Sequence, residues 1–291
     1  MKELLRKVRK LDIKIRRMVE STFAGEYRSA FRGQGLEFDE VRAYQYGDDI
    51  RSIDWNVTAR SDTVYVKLFR EEREQEVFVI FDISGSLDFG IQGQHKKDIG
   101  TEIAAIFAYS ALKNNDRLGL MLSTDRVEKY YKPMKGNRHV MNLIQNLLEY
   151  QAENKGTQLR QALELFRRTH KKRCILIVIS DFMDEGYTES IEKLSRQHEV
   201  IMIRLFHPLE LKAISGGILP VQDQESGMIR WVGTGSGAIQ DKVKAYMANI
   251  HERLTVLARR KHTWYLPVDV SKDYIPELEK FFKRIHASHS R

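Results

Sequence analysis

Val77-Phe-Val-Ile-Phe-Asp82-Ile-Ser84-Gly-Ser86 is the stretch on which the fold of this 291-residue chain turns. Five apolar residues in a row run into an acid, followed by two hydroxyls spaced two apart. An unbroken apolar run of this length suits a strand buried on both faces of a parallel sheet rather than one face of an antiparallel one. In open α/β sheets ligands bind just beyond the carboxyl ends of such strands. Asp82, Ser84 and Ser86 therefore fall together on a loop where a ligand is expected. Their oxygens are hard donors, suited to magnesium, calcium or manganese rather than zinc or copper.

Working outward, apolar periodicities alternate between strand and helix. Helices are expected at 97–114, 139–150, 158–169, 188–197, 241–260 and 274–285. Strands are expected at 63–69, 174–179, 199–206 and 263–267. Residues 117–123 and 126–132 flank a Thr124-Asp125 turn and read as a hairpin, and a second hairpin is expected at 216–234. The fold class is α/β, a doubly wound, mainly parallel sheet covered by helices on both faces, with one antiparallel edge strand. The expected division is 1–75, an N-terminal helical and loop extension, and 76–288, the α/β domain with a hairpin insertion near 216–234. Within the extension, Leu4, Val8, Leu11, Ile15, Met18 and Val19 follow helical spacing over 3–20, whereas 21–62 show no clean period.

Composition narrows the function classes. Hydrophobic residues make up 42% and charged residues 30%, ordinary for a globular protein. No apolar stretch reaches membrane-spanning length, and the basic N-terminus lacks the apolar core of a secretory signal. A single cysteine, Cys174, excludes an internal disulfide framework. The expected location is cytoplasmic. The net charge is +8, and most of it lies in residues 1–20, where eight Lys/Arg face three acids. That concentration points to one basic helix with a membrane surface or a partner within reach. It argues against nucleic acid, since the helix has no aromatic platform for stacking bases.

Two further oxygen donors join the first three. The run 174–179 ends in Ser180-Asp181, which places Asp181 at a second strand's carboxyl end. Thr157 follows Lys155-Gly156 at the opening of a helix, a position that also suits a helix N-cap. Three neutral hydroxyls bound directly, with Asp82 and Asp181 acting through waters, leave a divalent ion under-neutralised and able to attract an external carboxylate.

This arrangement resembles the metal-ion-dependent adhesion site of von Willebrand factor type A domains, with Asp82, Ser84, Ser86, Thr157 and Asp181 as the matching residues. The resemblance implies Mg2+, with Mn2+ or Ca2+ as substitutes. A second resemblance lies upstream, in Gly33-Gln-Gly35 through Phe38, Arg42, Tyr44, Gly47-Asp48-Asp49, Arg51, Asp54-Trp55, Ala59 and Arg60, and again in Lys132-Pro-Met-Lys-Gly136-Asn-Arg-His139. From about residue 20 to about 205 the chain is similar to the bacterial "domain of unknown function 58" family. This implies a type A domain protein working with a MoxR-type AAA+ ATPase as an adaptor in chaperone-like remodelling or maturation. No phosphate-binding Gly-x-x-x-x-Gly-Lys-Ser/Thr loop is present, so ATP hydrolysis would belong to the partner. By charge alone the upstream segment reads as a clamp, with Asp48, Asp49 and Asp54 on Arg42, Arg51 and Arg60 around Trp55, or as a docking surface.

The expected function is non-catalytic, metal-dependent binding of a protein partner that presents an acidic residue. The alternatives are a metal-dependent hydrolase using the Asp82/Ser84 loop and membrane-surface binding through residues 1–20. A phosphoryl-accepting aspartate usually has a second acid two residues on, where this chain has Ser84. A serine nucleophile wants a Gly-x-Ser-x-Gly elbow, which Asp-Ile-Ser-Gly-Ser is not.

Overall fold

The computed structural model describes residues 37–61, 63–70, 75–91, 94–211, 218–222, 229–233 and 237–289, together with Met18, Val19, Phe23, Gly25, Tyr27 and Ala30. The helix expected over 3–20 lies outside the described residues apart from its last two apolar positions. The chain divides into two compact units, the smaller being Phe31–Gln75. One border of the smaller unit falls between Gln75 and Glu76 and the other between Ala30 and Phe31. The described residues up to Ala30 belong to the larger unit.

In the smaller unit, β1 (Glu37–Ala43) pairs antiparallel with β2 (Tyr65–Arg70). The single turn α1 (Trp55–Thr58) lies between them in sequence. The clamp expected here is only partly present. Arg42 and Asp48 form a two-pronged ion pair, at 2.8 and 2.7 Å. Asp49 instead accepts from the Arg51 backbone N–H. Asp54 caps α1 by accepting from the Asn56 and Val57 backbone N–H groups and lies 3.7 Å from Lys67 Nζ. Trp55 is 66% exposed, so it anchors no clamp.

The larger unit is built on six strands: β3 (Glu76–Asp82), β6 (Arg117–Ser123), β7 (Val127–Met134), β8 (Ile175–Ser180), β9 (Glu199–Phe206) and β12 (Thr263–Asp269). Two short strands, β4 (Gly90–Ile91) and β5 (Gln94–His95), form a small hairpin. The sheet order is β12-β9-β8-β3-β6-β7, parallel throughout except for the antiparallel edge strand β7. This is the doubly wound order, in which the chain starts centrally, moves to one edge and then fills the other side. It matches the expected doubly wound, mainly parallel sheet with one antiparallel edge strand.

Every residue of β3 and β8 is buried, the reason both read as continuous apolar runs. Phe78 and Ile80 point into a core closed by α4 (Leu159–Thr169), α5 (Tyr187–Leu194) and α6 (Gly237–Leu257). On the opposite face Phe81 meets α2 (Lys96–Lys113), where an added Cβ on Gly100 would lie 2.7 Å from its ring. That face also holds α3 (Asn137–Glu149) against α2, and α7 (Ile275–His289), whose Phe282 packs on Phe107 of α2. Phe23 and Tyr27 meet the same Phe282 edge-on, and Tyr27 Oη donates to Asp116 at 3.2 Å. The expected second hairpin is present as β10 (Ile218–Gln222) and β11 (Ile229–Gly233); its turn lies outside the described residues.

Candidate metal centre

The crossover from β3 to β8 fixes the site. These two strands are neighbours at the centre of the sheet, and the chain leaves them in opposite directions, so a crevice opens at their carboxyl ends. Asp82 closes β3, and Asp181 follows the last residue of β8. Both carboxylates are buried. Asp82 is held on both oxygens: Oδ1 accepts from the Ser84 backbone N–H at 2.9 Å and Oδ2 from the Ser180 hydroxyl at 2.7 Å. Burial, and next the charge of Asp181, push the Asp82 pKa up to about 7, while its hydrogen bonds from Ser84 and Ser180 pull the other way.

The Ser84 and Ser86 hydroxyls lie 3.1 Å apart, Ser84 buried and Ser86 half-buried, at the start of a 3₁₀ turn over Gly85–Asp88. The Lys155–Gln158 loop is fastened beside them: Gly85 N–H donates to the Lys155 carbonyl and Gln158 N–H to the Thr124 carbonyl, at 2.8 and 3.0 Å. Thr157 is carried on that loop and is half-buried. It is not the helix cap that its position allowed. The cap of α4 is Gln158, and the Leu159 N–H is satisfied by the Asp184 carboxylate at 2.9 Å. Asp82, Ser84 and Ser86 thus lie together, Asp181 faces Asp82, and the loop that carries Thr157 is tied to the serine turn at Gly85.

The donor set fits a divalent ion on chemical grounds. It is all oxygen, as hard cations require. Asp82, buried and facing the charge of Asp181, has its proton affinity raised, and a nearby cation would relieve that. Among the described residues no group of three or more His, Cys, Asp or Glu is arranged to hold a metal.

Sequence reasoning missed Lys96. Its side chain is wholly buried, and Nζ donates to Asp181 Oδ2 at 2.9 Å and to Glu210 Oε1 at 2.6 Å. Burial pushes its pKa down, but Asp181 and Glu210 outweigh that and leave it raised. A signal was available: 96, 99, 103 and 107 share one helical face, so the apolar stripe of α2 runs back to a lysine. Ser180, noted only as the neighbour of Asp181, proves to be the residue that orients Asp82.

A family model described as "Protein of unknown function DUF58" matches residues 40–253, most of the chain. The chain belongs to this family. The match extends well past the 205 or so at which the resemblance in sequence fades. The relatives of this DUF58 chain carry no assigned activity. Rv1480 of Mycobacterium tuberculosis, an uncharacterised protein, is 27% identical over 226 residues, covering 77% of this chain and 71% of that one. MAV169 of Mycobacterium avium, also uncharacterised, is 24% identical over 126 residues, covering 43% of this chain and 74% of that one. Among solved structures, BatB from Bacteroides thetaiotaomicron is 14% identical with a TM-score of 0.45, covering 73% of this chain and 99% of that one. Proximal thread matrix protein 1 from the mussel byssus, with a zinc-occupied MIDAS motif, is 13% identical with a TM-score of 0.41, covering 74% of this chain and 48% of that one. No helix among the described residues is long and apolar enough to cross a membrane.

Proposed function

We propose that this DUF58 protein is a non-catalytic binding module that holds a divalent ion, Mg2+ first and Mn2+ or Ca2+ as substitutes, between Asp82, Ser84, Ser86, Thr157 and Asp181, and uses it to recognise an acidic group on a protein partner. The observation that carries this reading is the pair of buried carboxylates, Asp82 and Asp181, side by side at the central crevice with two hydroxyls at its rim. Bound there, the ion supplies an open coordination position that a partner's carboxylate fills. The chain's own residues do the rest: Ser180 and the Ser84 N–H fix Asp82, and the Lys155 carbonyl pins the serine turn.

A binding role is favoured over hydrolysis by the surroundings of the hydroxyls. Ser84 Oγ is paired with Ser86 Oγ, and a nucleophilic serine needs a positioned base. A partner also has further surface to meet: a polar groove beside the start of α4, lined by Arg160, Glu164, Arg168, Asp184 and Glu185. In the smaller unit it can meet the exposed side chains of Tyr46, Ile50 and Trp55. The partner we infer is a MoxR-type AAA+ ATPase, with this protein its cytoplasmic adaptor; that inference rests on the family resemblance.

The test is calorimetric titration with MgCl2, followed by pull-down from native lysate in Mg2+, in EDTA and with Ser84→Ala/Ser86→Ala. The expected outcome is ion binding lost in the double variant, and an ATPase captured only with Mg2+ and intact serines. A partner set indifferent to both EDTA and the serines would remove the crevice from recognition.

A further inference from the structure

Lys96 breaks two ordinary placement rules at once. It is the first residue of α2, where the helix dipole disfavours a cation. It is also fully buried, which lysine almost never is unless paired. Its two partners follow neighbouring strands, β8 and β9. Asp181 belongs to the candidate metal centre, and Glu210 lies in the Pro208–Leu211 turn after β9. Glu210 is itself fixed, because its second oxygen accepts from the His207 backbone N–H at 3.0 Å. One ammonium therefore bridges two acids, Asp181 and Glu210, and Asp181 in turn acts electrostatically on Asp82. One oxygen of Asp181 is already engaged with a positive charge on the side that faces α2.

We propose that Lys96 is the resident counter-cation of the metal centre, a positioning residue that shares Asp181 with the incoming ion and, through its division between Asp181 and Glu210, sets how tightly that ion is held. This rests on the metal-binding reading above. A divalent ion drawn to Asp181 meets a fixed like charge on the same carboxylate, and in a buried site such repulsion is only weakly screened. Glu210 draws part of that ammonium's field away from the ion. The two residues should therefore act with opposite sign. If Lys96 and Glu210 were only struts, losing either would loosen the site and weaken binding.

Mn2+ and Mg2+ affinities would be measured by calorimetry on the full chain, Lys96→Met and Glu210→Gln, with circular dichroism melts to establish folding. Lys96→Met is expected to bind the ion at least about tenfold more tightly than the wild type. Glu210→Gln is expected to bind it several-fold more weakly. Equal or weaker binding by a folded Lys96→Met overturns the inference. Should that variant not fold, Glu210→Gln decides, and unchanged or tighter binding there overturns it. If the wild type takes up no ion in the millimolar range but Lys96→Met does, the metal bridge fails as the wild-type function while Lys96 stands as the site's cation. If neither takes up an ion, both readings fall.

Discussion

Asp82 is buried beside Asp181 with its pKa raised to about 7, and this has a measurable consequence for stability. An acid whose pKa rises on folding keeps its proton better in the folded state. Its stabilising contribution is complete below the unfolded value of about 4 and is lost as pH climbs through about 7. The metal-free protein should therefore lose stability across that window, on the order of a few kcal/mol from this residue. At about 2–4 °C per kcal/mol, this residue taken alone would lower the melting temperature by several degrees. Millimolar Mg2+ should cancel the drop, and Asp82→Asn should abolish both the drop and the Mg2+ response. His198 works with the opposite sign. Burial, and next the charge of His170, hold its pKa down at about 4. Its contribution is full above about 6.5 and is lost as pH falls toward 4. Asp82→Asn should therefore expose a melting temperature that falls on acidification below about 6.5. Thermal scans from about pH 4 to 8, with and without Mg2+, check all of these; because the two groups oppose each other below about 6.5, the difference between wild type and Asp82→Asn isolates the carboxylate, and a difference that does not change with pH would count against the buried carboxylate pair.

At the scale of elements, α2 is the piece that brings Lys96 to the crevice, and Gly100 lets it approach the sheet. An alanine there would gain about 1 kcal/mol of helix propensity. Its Cβ, however, would sit 2.7 Å from the Phe81 ring and 2.8 Å from Leu205, both buried. Overpacking of that kind costs about 1–3 kcal/mol, so Gly100→Ala should destabilise on balance, read as a lower denaturant midpoint with an unchanged slope. The strands β3, β8 and β9 were legible in the sequence because burial on both faces leaves long apolar runs, broken within β9 only by the buried Arg204. The helices α2 to α7 were legible from their apolar stripes, to within a few residues at each end. Strand β1 was not, since its extended form comes from pairing with β2, with a register shift between Phe38 and Glu40. That pairing leaves no local period. Of the candidate site, Asp82, Ser84, Ser86 and Asp181 could be read because they follow strand ends, where a sharp change from apolar to polar marks them, whereas Thr157 lies on the loop between α3 and α4, where no such change occurs. Lys96 was missed because a lysine beside Lys97 at a helix start looks like solvated charge. Only its distant partners, 85 and 114 residues away, show otherwise.

For the whole molecule, the division at Gln75/Glu76 invites a truncation that begins the chain at Glu76, and the packing argues against it. Such a chain would lose Phe23 and Tyr27, both almost fully buried, from the aromatic cluster around Phe282 and Phe107. Truncating one large buried aromatic costs about 3–5 kcal/mol. The shortened protein should melt many degrees lower than the full chain, or aggregate, while Phe23→Ala alone should reproduce a substantial part of the loss. A melting temperature matching the full chain would mean the aromatic cluster contributes little. The smaller unit is spliced into the larger one at two points, after Ala30 and before Glu76, rather than hung from one end. A protease that severs the backbone once between these points would thus leave two polypeptides clasped by the same core, running as two bands on a denaturing gel and as one peak through a sizing column.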